Sequence, residues 1–310
     1  MQQVATTRGP LVWRDMDQDA LDNAYDQLVY APNRDIILGR IAAASNRARE
    51  ILGAPERVAY GPSEYERFDF FRAKTTAKTA AKTAAGRNQG AAPINIFVHG
   101  GAWRVGSAAD NALFAEPLVH AGAHAFILDF INVDQAGGSI VPMQRQVSGA
   151  LAFIWNNAER FGGDRERFFV SAASSGAHLA ACALSSGWRE QKLPADFCKG
   201  ALLVSGMYDL APVRLSKRSA YVKFTDEMES ALSPQRHIDG ITTPLVLVHG
   251  SGDTPEFQRQ TKDFFAALKK SGKPAELIVA EGYNHFELIE TIANPHGPAG
   301  RARLRQMGLC

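Results

Sequence analysis

Three short stretches, far apart in the chain, carry side chains that together could cleave an acyl bond: His99-Gly100-Gly101-Ala102-Trp103, Ser174-Ser175-Gly176 and Asn284-His285-Phe286. A serine hydroxyl is a poor nucleophile at neutral pH and needs an adjacent base to take its proton during attack. Ser174 is the candidate nucleophile, because small residues stand two positions to either side, Ala172 and Gly176. A sharp strand-to-helix turn demands such neighbours. Ser175 is the off-by-one alternative, and the placing of Gly176 favours Ser174. The candidate base is His285, in a loop behind the last apolar run; His249, which ends an earlier run, competes with it. A carboxylate must hold the imidazole in one tautomer and stabilise the imidazolium. Asp253 stands where that residue is expected, Asp209 is the reserve, and Glu256 is explained as an acid in the first turn of a helix. The tetrahedral intermediate carries negative charge on oxygen and needs preorganised donors. The backbone amides of Gly101, Ala102 and Ser175 are the expected oxyanion donors. His99 is expected to brace the glycine turn, and Trp103 either floors an acyl pocket or anchors the turn in the core.

These residues need elements to hold them. Short apolar runs at 94–98, 125–129, 168–170, 201–205, 245–248 and 277–280, bounded by glycine or proline, read as strands covered on both faces. Amphipathic patterns at 142–160, 175–186 and 255–270 lie between them. The alternation predicts an α/β fold, a mostly parallel central sheet flanked by helices. Ligands of such sheets bind at the carboxyl ends of the strands, where all three motifs lie. Before this core, residues 15–52 read as helices, and 57–60 and 67–72 as two short strands with a turn at Gly61-Pro62-Ser63. The Ala-Lys-Thr repeats of 74–91 offer no apolar stripe and read as a solvated, mobile connection. The longest excursion, 207–241, is expected to wall the substrate pocket, with Tyr208, Tyr221 and Phe224 joining Trp103 as candidate linings.

Composition bounds the rest. A chain of 310 residues can bury a full core as a single domain over 1–310, with a helical segment at 11–52 available to cover the site. A net charge of +2 gives no reason to expect nucleic acid or an acidic membrane as partner. No run approaches the length of a membrane helix, and residues 1–10 lack the apolar centre of a secretory signal. Three cysteines without metal-ligand spacing fit reduced thiols in a cytoplasm. The expected partner is a small-molecule ester or amide, and a homodimer stays open.

Through these motifs the chain resembles the arylformamidase (kynurenine formamidase-like) branch of the α/β-hydrolase esterase and lipase families. The likeness covers most of the length. It is carried by Tyr25, Tyr30-Ala31-Pro32-Asn33, Tyr60-Gly61-Pro62, the His99 to Trp103 turn, Asn157-Ala158-Glu159-Arg160-Phe161-Gly162-Gly163-Asp164, Ser174-Ser175-Gly176-Ala177-His178-Leu179, Gly206-Met207-Tyr208-Asp209-Leu210 and Asn284-His285-Phe286. The resemblance implies an α/β-hydrolase fold, with nucleophile, acid and base in the chain order Ser174, Asp253, His285. It also implies hydrolysis of an aryl formamide or small ester through an acyl-enzyme, without metal or organic cofactor. One departure stands out: relatives usually read Gly-His-Ser at the elbow, and this chain reads Ala172-Ala173-Ser174. The rival from another class is an α/β-hydrolase-fold protein that binds ligands without turning them over.

Overall fold

A computed structural model describes residues 9–74 and 91–310. All but the two ends of the 74–91 repeat run therefore lie outside the described residues. Eight strands form one sheet: β1 (Glu56–Ala59), β2 (Arg67–Phe71), β3 (Ala92–Val98), β4 (His124–Leu128), β5 (Gly163–Ala173), β6 (Gly200–Val204), β7 (Leu245–Gly250) and β8 (Ala275–Ala280). Their order is β1-β2-β4-β3-β5-β6-β7-β8. β1 and β2 are antiparallel, β2 joins β4 antiparallel, and every pairing from β4 to β8 is parallel.

The period of two along each strand builds two cores. Ile94, Ile96, Val98, Val170, Ala172, Leu203 and Leu247 face one layer, while Phe97, Phe169, Ala173, Val204, Val246 and Val248 face the other. Both layers are covered by helices, which is why the central strands are apolar throughout. The first layer takes helices Val141–Asn156, Ser175–Cys182 and Pro255–Lys270; the second takes Arg34–Leu52 and Pro298–Gln306.

Element bounds differ from the sequence reading where side chains bond to backbone. The helix expected over 142–160 stops at Asn156, because the Asn157 side-chain amide takes the carbonyl of Phe153 at 2.8 Å. A 3₁₀ turn, Ala158–Phe161, follows and ends on left-handed Gly162. The helix expected over 175–186 turns into a π-turn at Ala183–Gly187, where the Ser185 and Ser186 hydroxyls both donate to the carbonyl of Cys182. β5 begins five residues before its apolar run. Its charged first half pairs Asp164 with Pro93 and then slips register before Phe168 meets Ile94. Residues 207–241 hold short helices at Leu210–Leu215, Lys217–Ala220, Asp226–Ala231, Pro234–Arg236 and Ile238–Gly240. Among the described residues, no helix is long and apolar enough to cross a membrane.

Candidate active site

Ser174 sits between the end of β5 and the helix Ser175–Cys182 with φ +54°, a left-handed conformation that costs an L-residue energy. Its backbone N–H donates to the carbonyl of Val204 at 2.8 Å, which ties the turn to the neighbouring strand. Two glycines make the turn feasible. A Cβ on Gly176 would come within 2.3 Å of the carbonyl oxygens of Val98 and His99, and one on Gly101 (φ +115°) within 1.9 Å of the Val105 carbonyl oxygen. Ala172, where relatives usually carry glycine, lies inside β5 opposite Val98 and Leu203 and outside the positive-φ region, so a methyl group fits there.

His285 reaches this serine from the start of the helix His285–Glu290. That start is fixed by a capping box: Asn284 accepts from Phe286 and Glu287, and Glu287 accepts from the Asn284 N–H. The Nε2 of His285 lies 3.0 Å from Ser174 Oγ, and its Nδ1 lies 2.7 Å from Asp253 Oδ1. Asp253 sits in the loop after β7. Its other oxygen accepts from the Ser205 hydroxyl and, at 3.3 Å, from the Gly250 N–H. With Asp253 ionised, Nδ1 carries the ring proton and Nε2 is left to accept the serine proton. Phe257 and Phe286 pack edge-on against the imidazole at 5.1 and 5.2 Å, fixing its plane. The histidine and aspartate are buried, and Ser174 keeps 9% of its surface exposed.

The glycine turn lies beside this row. Ser175 Oγ accepts from the Trp103 N–H at 3.1 Å, bonding the turn to the first residue of the elbow helix. Ala102 and Trp103 both have positive φ. Among the described residues, the amides of Gly101, Ala102 and Ser175 donate to no protein acceptor; Ser175 opens its helix, where N–H groups have no intrahelical partner. His99 Nδ1 lies 2.7 Å from the Gly100 carbonyl, and the ring stacks on Phe130 at 4.4 Å; burial lowers its pKa, so it stays neutral.

The competitors are occupied elsewhere. His249 Nδ1 contacts the Gly250 carbonyl, and Asp209 caps the helix Leu210–Leu215. Glu256, read only as a first-turn acid, is buried and held by Arg259 through two bonds of 2.6 Å and by the Tyr25 hydroxyl. His178 is buried with Nε2 at 2.8 Å from the Leu232 carbonyl, and burial drops its pKa to about 4. Of the expected pocket aromatics, Tyr208 does not line an open surface: it is fully buried, stacked on Phe264 at 4.2 Å, because its backbone is drawn inward by Gln260. Trp103 is likewise core, edge-on to His178, whereas Tyr221 and Phe224 are partly exposed. Sequence reasoning missed Ser205. It follows a strand like many serines, and only its φ of +49° and its bond to Asp253 mark it.

Solved structures share this fold. A Silicibacter protein whose thioesterase assignment is provisional superposes with a TM-score of 0.74 at 21% identity, over 90% of this chain and 96% of the other. A thermophilic esterase from Thermogutta terrifontis gives 0.60 at 19%, over 83% and 92%. The chain has the α/β-hydrolase fold. Residues 156–296 of this chain match the prolyl oligopeptidase family, and residues 83–197 match the BD-FAE family. It is similar to a kynurenine formamidase of Salmo salar, 28% identical over 96% of this chain and 98% of the relative. An isoprenylcysteine alpha-carbonyl methylesterase of Arabidopsis thaliana is 30% identical, over 65% of this chain and 52% of the relative.

Proposed function

We propose that this α/β-hydrolase is a serine hydrolase that cleaves a small ester or aryl formamide through an acyl-enzyme. The observation that carries the reading is the unbroken row from Asp253 through His285 to Ser174, at 2.7 and 3.0 Å. His285 takes the proton of Ser174 as Oγ attacks the substrate carbonyl, and Asp253 stabilises the imidazolium. The amides of Gly101, Ala102 and Ser175 hold the oxyanion. His285 then protonates the departing amine or alcohol. Water, activated by the same histidine, releases the acid and frees the serine. Similarity to kynurenine formamidases over nearly the full length of both chains favours an aryl formamide, and the methylesterase relatives keep a carboxylic ester as the second reading. The cytoplasm is the compartment we propose, in line with free thiols at Cys182, Cys198 and Cys310.

Covalent labelling with a fluorophosphonate tests the nucleophile: the wild-type protein should label and Ser174→Ala should not. Equal labelling of both refutes the assignment, and no labelling of the wild type favours the binding-protein reading. Specificity constants for N-formylkynurenine and p-nitrophenyl acetate separate the substrates. Negligible formamide turnover beside robust ester turnover would discard the formamidase reading.

A further inference from the structure

One buried positive charge near the site forms no ion pair among the described residues. Arg218, in the 3₁₀ turn Lys217–Ala220, is 7% exposed. Its guanidinium carbon lies 5.8 Å from the ring of Trp103, and 5.9 Å from those of Tyr25 and Phe257. Trp103 belongs to the oxyanion turn, and Phe257 packs on the His285 imidazole, so one ring separates this charge from each half of the site. Nη1 donates to the Tyr221 hydroxyl at 2.8 Å and Nη2 to the Tyr25 carbonyl at 3.4 Å. Among the described residues, Nε has no partner, and neither has the buried indole N–H of Trp103.

Neighbouring carboxylates are already matched. Asp26 pairs with Lys217, Glu256 with Arg259, and Asp134 with Arg104, whose own guanidinium lies 4.9 Å over the Tyr221 ring. Among the described residues, the acceptors bonded to Arg218 are neutral, and Asp26, which pairs with Lys217, feels the Arg218 charge only at longer range. A desolvated guanidinium is costly unless a counter-charge meets it, and its planar fork matches a carboxylate. Aromatic faces lower the cost without cancelling the charge. A purely structural residue bridging Tyr25 to Tyr221 would not need to be cationic.

We propose that Arg218, with Tyr221 and Trp103 around it, is the specificity site for a carboxylate on the substrate, so that this hydrolase prefers anionic acyl donors to their neutral isosteres. The proposal rests on the serine-hydrolase reading and adds the charge of the substrate to it. The carboxylate enters beside the oxyanion turn, and Arg218 orients the acyl group toward Ser174.

The test compares 3-acetoxybenzoate with 3-acetoxybenzamide, which share shape and leaving-group position and differ in charge. For the wild-type protein, kcat/KM should favour the benzoate by about tenfold or more. In Arg218→Gln the ratio should fall to near unity, and Arg218→Lys, which keeps the charge without the fork, should fall between. A wild-type ratio near or below unity overturns the proposal. So does an Arg218→Gln variant in which both substrates lose the same factor and the ratio stays. If neither substrate is turned over, fluorophosphonate labelling tells whether the serine nucleophile itself has failed. Calorimetric binding of 3-acetoxybenzoate then decides: binding to the wild type that is lost in Arg218→Gln supports the anion site, and equal or absent binding refutes it.

Discussion

Replacing Asp253 with asparagine keeps the shape of the side chain and removes its charge, and the surrounding donors decide which way the new amide turns. One carboxylate oxygen of Asp253 faces Nδ1 of His285, and the other faces the Ser205 hydroxyl and the Gly250 N–H. An asparagine must present oxygen to one side and NH₂ to the other. The serine hydroxyl can rotate to suit either, but the Gly250 N–H is backbone and can only donate. Leaving a buried N–H unsatisfied costs about 1–3 kcal/mol, so the oxygen stays toward Gly250 and the NH₂ turns to the histidine. Nδ1 must then accept, and the ring proton moves to Nε2, which faces Ser174. The base is blocked. A misprotonated histidine of this kind lowers kcat by about 10³- to 10⁴-fold, equivalent to about 4–5.5 kcal/mol of transition-state stabilisation. KM should change little, because Asp253 is buried behind the imidazole and has no surface to offer a substrate. Steady-state kinetics on a p-nitrophenyl ester, with a urea melt to show that the variant is folded, measures both quantities. A folded Asp253→Asn enzyme that loses less than tenfold in kcat would refute the tautomer-holding role of this carboxylate.

Packing and burial set two further outcomes. Gly176→Ala should lower stability by about 3 kcal/mol or more, since the new methyl meets two backbone carbonyl oxygens at 2.3 Å and neither can move without shifting β3; an unchanged urea midpoint would show that the elbow has slack. Burial holds His178 and His124 at pKa values of about 4, so both stay neutral in the folded protein while the unfolded chain protonates them below about 6.5. Their contribution, on the order of 3 kcal/mol each, is complete above pH 6.5 and lost as pH falls toward 4. The loss should be visibly smaller in His178→Gln, and identical pH dependence of the two urea midpoints would refute it.

The fold is most legible in the sequence where one force acts alone. The helix Pro255–Lys270 matches its expected range at both ends, because proline opens it, two lysines close it, and apolar residues recur on one face. The central parallel strands are visible as apolar runs, since both faces are covered. Of β5 the pattern shows only the apolar part, because Asp164 to Arg167 look like a loop; in the fold, Arg167 spans from Asp164 to the Ala91 carbonyl and keeps them in strand. Tyr208 misleads for a related reason. Aromatic residues in an excursion near the site suggest a pocket, but the side chain of Gln260, fifty-two residues away, takes the Tyr208 and Asp209 amides and turns the ring into the core. Nothing local in the sequence separates Arg218 from the nearby arginines Arg104 and Arg214. Only the folded chain shows that its neighbours' acids are matched to other bases.

Backbone strain gives the site a signature that no pattern of glycines could reveal. Among the described residues, six non-glycine positions have positive φ, and four of them are Ala102, Trp103, Ser174 and Ser205. They follow β3, β5 and β6, three adjacent strands, and their turns are tied down from outside. Trp103 is held by Ser175 Oγ and by Val133, whose N–H donates to the Trp103 carbonyl at 2.8 Å; Ser174 by Val204, and Ser205 by the Val248 carbonyl at 2.7 Å. Each such residue costs on the order of 1–3 kcal/mol, so the cluster persists only because the sheet beneath it over-determines the geometry. The orientation of the acid supports this view: Ser205 is strained, and in that strained conformation its hydroxyl reaches Asp253. An apolar sheet packed on both faces is thus the source of the rigidity that holds an alcohol, an imidazole and a carboxylate in line, and relaxing any one of these turns would separate groups that sequence places more than thirty residues apart.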